Sequence, residues 1–278
     1  MIEPALNPGA DPKELGRPTW VRWRILAIVM AIAFMNHFNR LSMSVAGTDA
    51  IMRDYSIEPT RMGFVYSAFL IVYTLAMLPG GWLIDRYGPR LALTVMGLGT
   101  GFFCALTGAV GVLGLGSLGV WVGLLCVRGL MGLCAAPLHP AGGKVVNHWF
   151  PPGRRVLANG LVVGASSIGM ALVFKVFGAL IDRVGWPTAF LCTGTVTALL
   201  GLVWRFYATD WPAQHPGTSA AERALIGPEH SSAMATRHRA SFLSELRLVA
   251  RNRSLLLLTV SYMAIGYFEY LFFYWMHY

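Results

Sequence analysis

Residues 81–88 read GWLIDRYG, and residues 178–185 read GALIDRVG. The phrase occurs twice in one chain, each time at the end of a long apolar stretch, and the spacing of those stretches decides the fold. About 20 apolar residues suffice to cross the roughly 30 Å hydrocarbon layer of a bilayer. Seven stretches of the 278-residue chain meet that length, approximately residues 25–46, 62–83, 92–114, 119–143, 158–180, 187–207 and 254–276. The two copies follow the second and fifth stretches, three crossings apart, and so lie on opposite sides of the membrane. Two three-helix units related by inverted topology have this signature. It is characteristic of secondary transporters, whose substrate site lies near the midplane where the repeats meet. Within each copy Asp and Arg can pair beside a helix end and the glycine permits a tight turn, so the loops also have a structural reading.

Composition agrees with a bilayer as solvent. Hydrophobic residues make up 55% of the chain, charged residues 13%, and the mean hydropathy is +0.56; a soluble protein carries about 25% charged residues. Lipid cannot hydrogen-bond a free backbone, and the short alternating segments of a barrel are missing, so each stretch is expected to be a helix. The expected fold is an all-α membrane protein, a six-helix N-terminal bundle of two inverted repeats plus a seventh transmembrane helix. In this reading residues 1–24 form a cytoplasmic N-terminal segment, 25–207 the bundle, 208–253 a cytoplasmic linker rich in Pro, Ser, Ala and Arg, and 254–278 the seventh helix. A polar leader and a long first apolar stretch argue against a cleavable signal peptide. Cys104, Cys126, Cys134 and Cys192 lie within spans without metal-ligand spacing and read as small packing residues.

The formal charge of +9 does not signal a nucleic-acid partner, because of where the basic residues fall. Fifteen lie on one set of loops: Lys13, Arg17, Arg22, Arg24, Arg86, Arg90, Arg154, Arg155, Arg205, Arg223, Arg237, Arg239, Arg247, Arg251 and Arg253. The opposite loops hold Arg53, Arg61 and Arg183, which share them with acids. The positive-inside rule then places the N-terminus in the cytoplasm of a multi-pass inner (plasma) membrane protein. The basic residues of the linker suit anionic lipid headgroups.

GGWLIDRYGPR, with Gly81, Asp85, Arg86, Gly88 and Arg90 at their spacing, resembles the loop between the second and third helices of the major facilitator superfamily. FNRLSMSVAG in the first span, RGLMGLCAAPLHPAGGKVVNHWFPPGRR from the fourth, and the WFP at 149–151 resemble its anion:cation symporter family. That resemblance implies alternating-access transport of organic anions such as sugar acids, coupled to a cation, proton or sodium. Members of that family carry Asp before the first-helix arginine and Glu seven residues after the fourth-helix arginine; this chain has Asn39 and Ala135. What the resemblance implies of an anion-binding arginine survives these departures, while its proton-linked acids are absent.

Arg40 interrupts AFMNHFNRLSMSVAG, residues 33–47. Counting 1.5 Å per residue puts it about 22 Å above the cytoplasmic boundary, with Arg128 at roughly 18 Å. Each sits in the first helix of its repeat, where inversion brings them together. A charge at that depth costs from about 3 to more than 10 kcal/mol and should face protein or water. Two guanidinium forks favour an anion; the alternative is that each arginine holds helix carbonyls. His37, three residues before Arg40, shares its face, and Asn36, Asn39, Tyr66 and Tyr73 stand near the same level as groups to orient a hydroxylated substrate. Glu269, at about 21 Å, is the candidate counter-ion or coupling carboxylate. Ser166 and Ser167 line the same region or bond back to their own helix, while Lys175, His139 and Lys144 read as interfacial. Gly97 with Gly101, and Gly160 with Gly164, have the spacing of close helix contacts. No phosphate loop, dinucleotide turn, catalytic triad or metal cluster is visible, so neither an enzyme nor a cofactor is expected.

Proteins of that superfamily carry two six-helix bundles. The expectations are therefore a secondary transporter of small organic anions, or a truncated, non-transporting protein retaining the N-terminal half. In either case a second bundle would come from a longer chain, a separate polypeptide or a second copy.

Overall fold

The structure is a computed structural model, described here for residues 17–227 and 251–275. Among the described residues every regular element is helical. Helix α1 (Val21–Ala46) runs through a π-helical turn (Gly47–Ile51) into α2 (Met52–Tyr55), which ends at Ser56 in the left-handed region. Helix α3 (Pro59–Val112) contains one break, at Gly88, with φ 86° and ψ 163°. Helices α4 (Ser117–Ala135) and α5 (Leu138–Trp149) are joined through Ala136 and Pro137, whose right-handed backbone angles make this a bend in one span. Helix α6 (Pro152–Tyr207) breaks at Gly185, with φ 77° and ψ 157°.

The two breaks fall at the last glycine of each copy of the repeated phrase. Only glycine adopts such angles without strain, and the prolines that follow, Pro89 and Pro187, favour an extended residue before them or the opening of a new helix. Each long helix is thus two crossings, and the bundle has six: α1, two arms of α3, α4 with α5, and two arms of α6. The second arms of α3 and α6 meet along a glycine seam. A methyl on Gly97 would lie 2.8 Å from the Gly201 Cα, and one on Gly101 would lie 2.5 Å from the Ala198 nitrogen. Gly160 and Gly164 differ from the expectation: a methyl on either meets no described atom, because that face of α6 is uncovered, with Val163 and Ile168 exposed. One apolar core lies towards the Asp85 end of the bundle, where Trp149 and Trp204 are fully buried among Ile25, Leu93 and Val146.

The region expected to be linker begins as part of that core. Over residues 208–227 it crosses the Asp85 end of the bundle as a strap and carries α7 (Ala220–Ile226). Asp210 Oδ1 accepts the Arg90 backbone N–H at 2.8 Å, capping the arm that starts after Gly88. His148 Nδ1 donates to the Asp210 carbonyl at 2.8 Å, and its ring stacks on Trp211 with centroids 3.8 Å apart. Burial holds the His215 imidazole below its usual titration range against opposing pulls from the Tyr207 carbonyl and the Glu222 carboxylate. Its Nδ1 accepts the Gly217 N–H at 3.1 Å, a bond that needs the unprotonated nitrogen.

Glu222 is the fully buried carboxylate of the strap. Its own backbone N–H is capped by Ser219, while its side chain leaves α7 and caps α1 instead. Oε1 accepts the Arg22 backbone N–H at 3.2 Å, Oε2 accepts the Thr19 hydroxyl, and the Arg22 side chain lies 3.9 Å away. Helix α1 has no side-chain cap of its own at Trp20 and no acid in its first turn, so this distant carboxylate meets its orphan donors and its positive end. Helix α8 (Arg253–Trp275) belongs to a second compact unit.

Replacing Glu222 with Ala leaves a buried arginine and the α1 donors without their acceptor. The expected loss is about 3 kcal/mol of bundle stability, measured as a lowered Tm of the detergent-solubilised chain by circular dichroism. An unchanged Tm would show that the strap does not hold α1.

Candidate anion site

Arg128 lies on the buried side of α4, 2% exposed. Its Nη2 donates to the Arg40 carbonyl at 2.8 Å, and Nη1 and Nη2 both reach the Asn39 carbonyl, at 3.2 and 3.3 Å. Nη1 also lies 3.3 Å from the Met131 sulfur, one turn along its own helix. The guanidinium therefore ties α4 to the middle of α1. Close packing of α4 on the first arm of α3 allows this, since Gly132 leaves no side chain between α4 and the Phe69 carbonyl.

Arg40 leaves α1 on the adjoining face, 8% exposed. Its guanidinium carbon is 5.3 Å from the Phe69 ring centre and 5.1 Å from that of Tyr73. Those rings, one turn apart on α3, are stacked at 5.9 Å with an interplanar angle of 13°. Arg128 lies 5.6 Å from the same Phe69 ring. Two cations thus share one aromatic ring, each contact contributing about 0.5–2 kcal/mol, the larger value where the pair is desolvated.

His37 comes to the Arg40 face as its spacing implies. Its Nδ1 donates to the Ala33 carbonyl at 3.0 Å, leaving Nε2 for other work. Against it stands His139 of α5, with ring centres 5.3 Å apart in an edge-on arrangement. The sequence reading placed His139 at the interface. The bend at Ala136 and Pro137 together with its position on the second residue of α5 turns it towards α1; Pro137 and Pro140 on either side were the available signal.

Asn39 goes elsewhere. It is one residue, hence about 100° of helix, from Arg40, and its Nδ2 donates to the Thr197 hydroxyl of α6 at 2.7 Å. Thr197 in turn bonds back to the Thr193 carbonyl at 2.8 Å. Tyr66 is buried beside Gly47, where a methyl would meet its hydroxyl. Ser166 and Ser167 bond to the carbonyls of Val162 and Val163, both at 3.2 Å. Glu269 lies on α8, and its side chain is outside the described residues.

In the repeated loop, Asp85 pairs with Lys144 of α5 at 3.0 Å, and Lys144 also donates to the Ile84 carbonyl at 3.2 Å. Lys144 is thus a loop contact as well as a residue near the end of its span. Arg86 lies over Trp82 and Tyr87, at 5.4 and 5.6 Å. Gly81 is open to its surroundings, and Gly88 makes room for Asp210. Arg90 Nη2 donates to the Arg205 carbonyl of α6 at 2.7 Å, and its backbone N–H to Asp210 of the strap, so loop, α6 and strap are one assembly. Among the described residues no group of three His, Cys, Asp or Glu side chains could hold a metal. An apolar recess of about 360 Å³, bounded by Gly108, Val112, Pro187 and Leu191, lies at the other end of the bundle from the strap.

Two three-helix units, broken at matching glycines and meeting at a cationic layer, define a polytopic all-α protein whose helices are long and apolar enough to cross a membrane. Residues 26–278 match the Major Facilitator Superfamily, and the chain belongs to that family. It is 32% identical over 211 residues to the probable galactarate/D-glucarate transporter GudP of Bacillus subtilis (strain 168), covering 76% of this chain and 46% of that protein. It is 32% identical over 251 residues to the probable L-galactonate transporter of Escherichia coli (strain K12), covering 90% of this chain and 52% of that one. Its fold is similar to an inward-facing, unoccupied bacterial homologue of the human lysosomal transporter Spinster, with TM-score 0.67, 15% identity, and coverage of 91% of this chain and 54% of that one. A D-xylose-proton symporter matches with TM-score 0.60, 17% identity, and coverage of 90% and 57%. The chain spans about half the length of these relatives.

Replacing Arg128 with Gln removes the donors to two α1 carbonyls. At roughly 1–3 kcal/mol for each bond to a charged group, the Tm of the solubilised chain should fall by several degrees. A Tm equal to that of the unaltered chain would show that α1 is held by other contacts.

Proposed function

We propose that this bundle is the anion-binding half of a secondary transporter for small organic anions, sugar acids or similar carboxylates, working by alternating access. The observation that carries the reading is that Arg40 of α1 and Arg128 of α4 both lie against the Phe69 ring. Arg128 acts chiefly through α1, fixing the backbone from which Arg40 projects and adding a second positive charge. Arg40 offers the planar fork that matches a carboxylate in two parallel hydrogen bonds. Tyr73 and His37 stand beside it to meet the hydroxyls or the second carboxylate of a sugar acid. Asn39 serves the site from behind, through its bond to Thr197. Similarity to probable galactarate/D-glucarate and L-galactonate transporters supports a sugar-acid substrate.

In this reading the Asp85 end faces the cytoplasm of a plasma membrane, since the basic residues cluster there. The repeated loop, Gly81 to Arg90, and its strap then form the inner rim that holds the two repeats in register as the carrier changes state. A proton or sodium ion drives uptake, with Glu269 as one candidate carrier. A second reading, a bundle that binds the anion without carrying it, is favoured by one observation: Arg40 is buried, 8% exposed, with its guanidinium against Phe69 and Tyr73.

Titration calorimetry with D-glucarate on the chain in lipid nanodiscs tests the site, and uptake of labelled D-glucarate into proteoliposomes tests the transport. Arg40→Lys keeps the charge and loses the fork, so affinity should fall at least about tenfold with the helical signal unchanged. Undiminished affinity would remove Arg40 from the site. Binding without uptake would favour the second reading.

A further inference from the structure

His37 and His139 form a side-chain pair of which the anion site uses only His37. They come from different helices, α1 and α5, on either side of the α4 bend. His37 is buried at 7% exposure, while His139 is exposed, so the pair runs from an open face to the Arg40 layer. The Nδ1–H of His37 is committed to the Ala33 carbonyl, so its Nε2 is the nitrogen left to take a proton. Among the described side chains the charge acting on both imidazoles is that of Arg40 on α1, beside which stand Tyr73 of α3 and Arg128 of α4. Asn39, next to Arg40 on α1, is committed to Thr197, and Ala135 of α4 is buried and apolar.

We propose that His37 and His139 are the proton-binding pair of this anion site, taking up one proton when an organic anion binds. This rests on the reading of Arg40 as an anion ligand. The step is a simple protonation: an imidazole Nε2 lone pair takes a proton from water reaching His139, and no other bond changes. Its driving force is electrostatic. Next to two permanent cations a third positive charge is unfavourable, and an anion lying between them removes that repulsion. A sugar diacid has a second carboxylate to place once the first is on Arg40, and an imidazolium supplies both a charge and a donor for it. Anion and proton then bind with positive coupling, each raising the affinity for the other.

The experiment is calorimetry of D-glucarate binding to the chain in nanodiscs, repeated in phosphate and in Tris so that the difference in heat counts the protons exchanged. The unaltered chain should take up about one proton per anion, and its affinity should rise about tenfold from pH 7.5 to 6.5. In the His37→Gln, His139→Gln double variant the proton uptake should vanish and the pH profile flatten; His215→Gln, altered in the strap, should keep both. D-glucarate binding without proton uptake overturns this proposal and leaves the anion site standing. Uptake that persists in the double variant also overturns it and moves the proton to another group, Glu269 first. No binding by the unaltered chain overturns the anion site and this pair together.

Discussion

The bonds from Arg128 to the carbonyls of Asn39 and Arg40 are the constraint on which the middle of the bundle depends. A guanidinium at that depth has no water to solvate it, and a helix interior offers few acceptors because its carbonyls are already used. Second lone pairs on two successive carbonyls of α1 are what α4 can reach. The geometry then follows. To donate to both, Arg128 must lie against α1 at residues 39 and 40, which sets the distance and register of the two helices. The absence of a side chain at Gly132 lets the first arm of α3 approach closely enough to lay Phe69 across both cations.

The same economy governs the helix ends. A helix that starts at a glycine break has no residue in place to cap it, and α1 begins at Trp20 without a side-chain acceptor. Two carboxylates from the strap, Asp210 and Glu222, serve the starts of two helices far from them in sequence. Because they also meet the positive ends of those helices, each does the work of a cap and of a counter-charge. The strap is thereby part of the bundle's end, and its aromatic contacts through Trp211 and His215 close the Trp149 and Trp204 core from the aqueous side.

Much of this was legible in the sequence, and the reasons are physical. Length and hydropathy give the crossings because a bilayer tolerates few alternatives, and the repeated phrase places the breaks because positive φ needs glycine. Depth arithmetic brought Arg40 and Arg128 together. What escaped depended on which way a side chain turns or what stands opposite. The strap looked like linker because residues 208–253 as a whole are rich in Pro, Ser, Ala and Arg, although Ser219 and Glu222 have the spacing of a helix start; the partner Thr19 lies 203 residues away. Lys144 and His139 were read by their distance from a span end. Gly160 and Gly164 have the right spacing for a close contact, but spacing specifies no partner, and the described residues bring none.

Asn39 shows how far one residue's rotation matters. The sequence reading grouped it with Arg40 because they are neighbours, yet 100° of helix separates a side chain bonded to Thr197 from one lying over Tyr73. An acid at position 39 would have stood against the hydroxyl of α6, next to the carbonyl that Arg128 holds, and would have acted on the arginines from behind. With an amide there, position 39 adds no charge beside the two guanidinium groups. That pairing, under the proposed reading, disposes the layer towards an anion. It also makes any titratable neighbour, His37 first, sensitive to whether the anion is present.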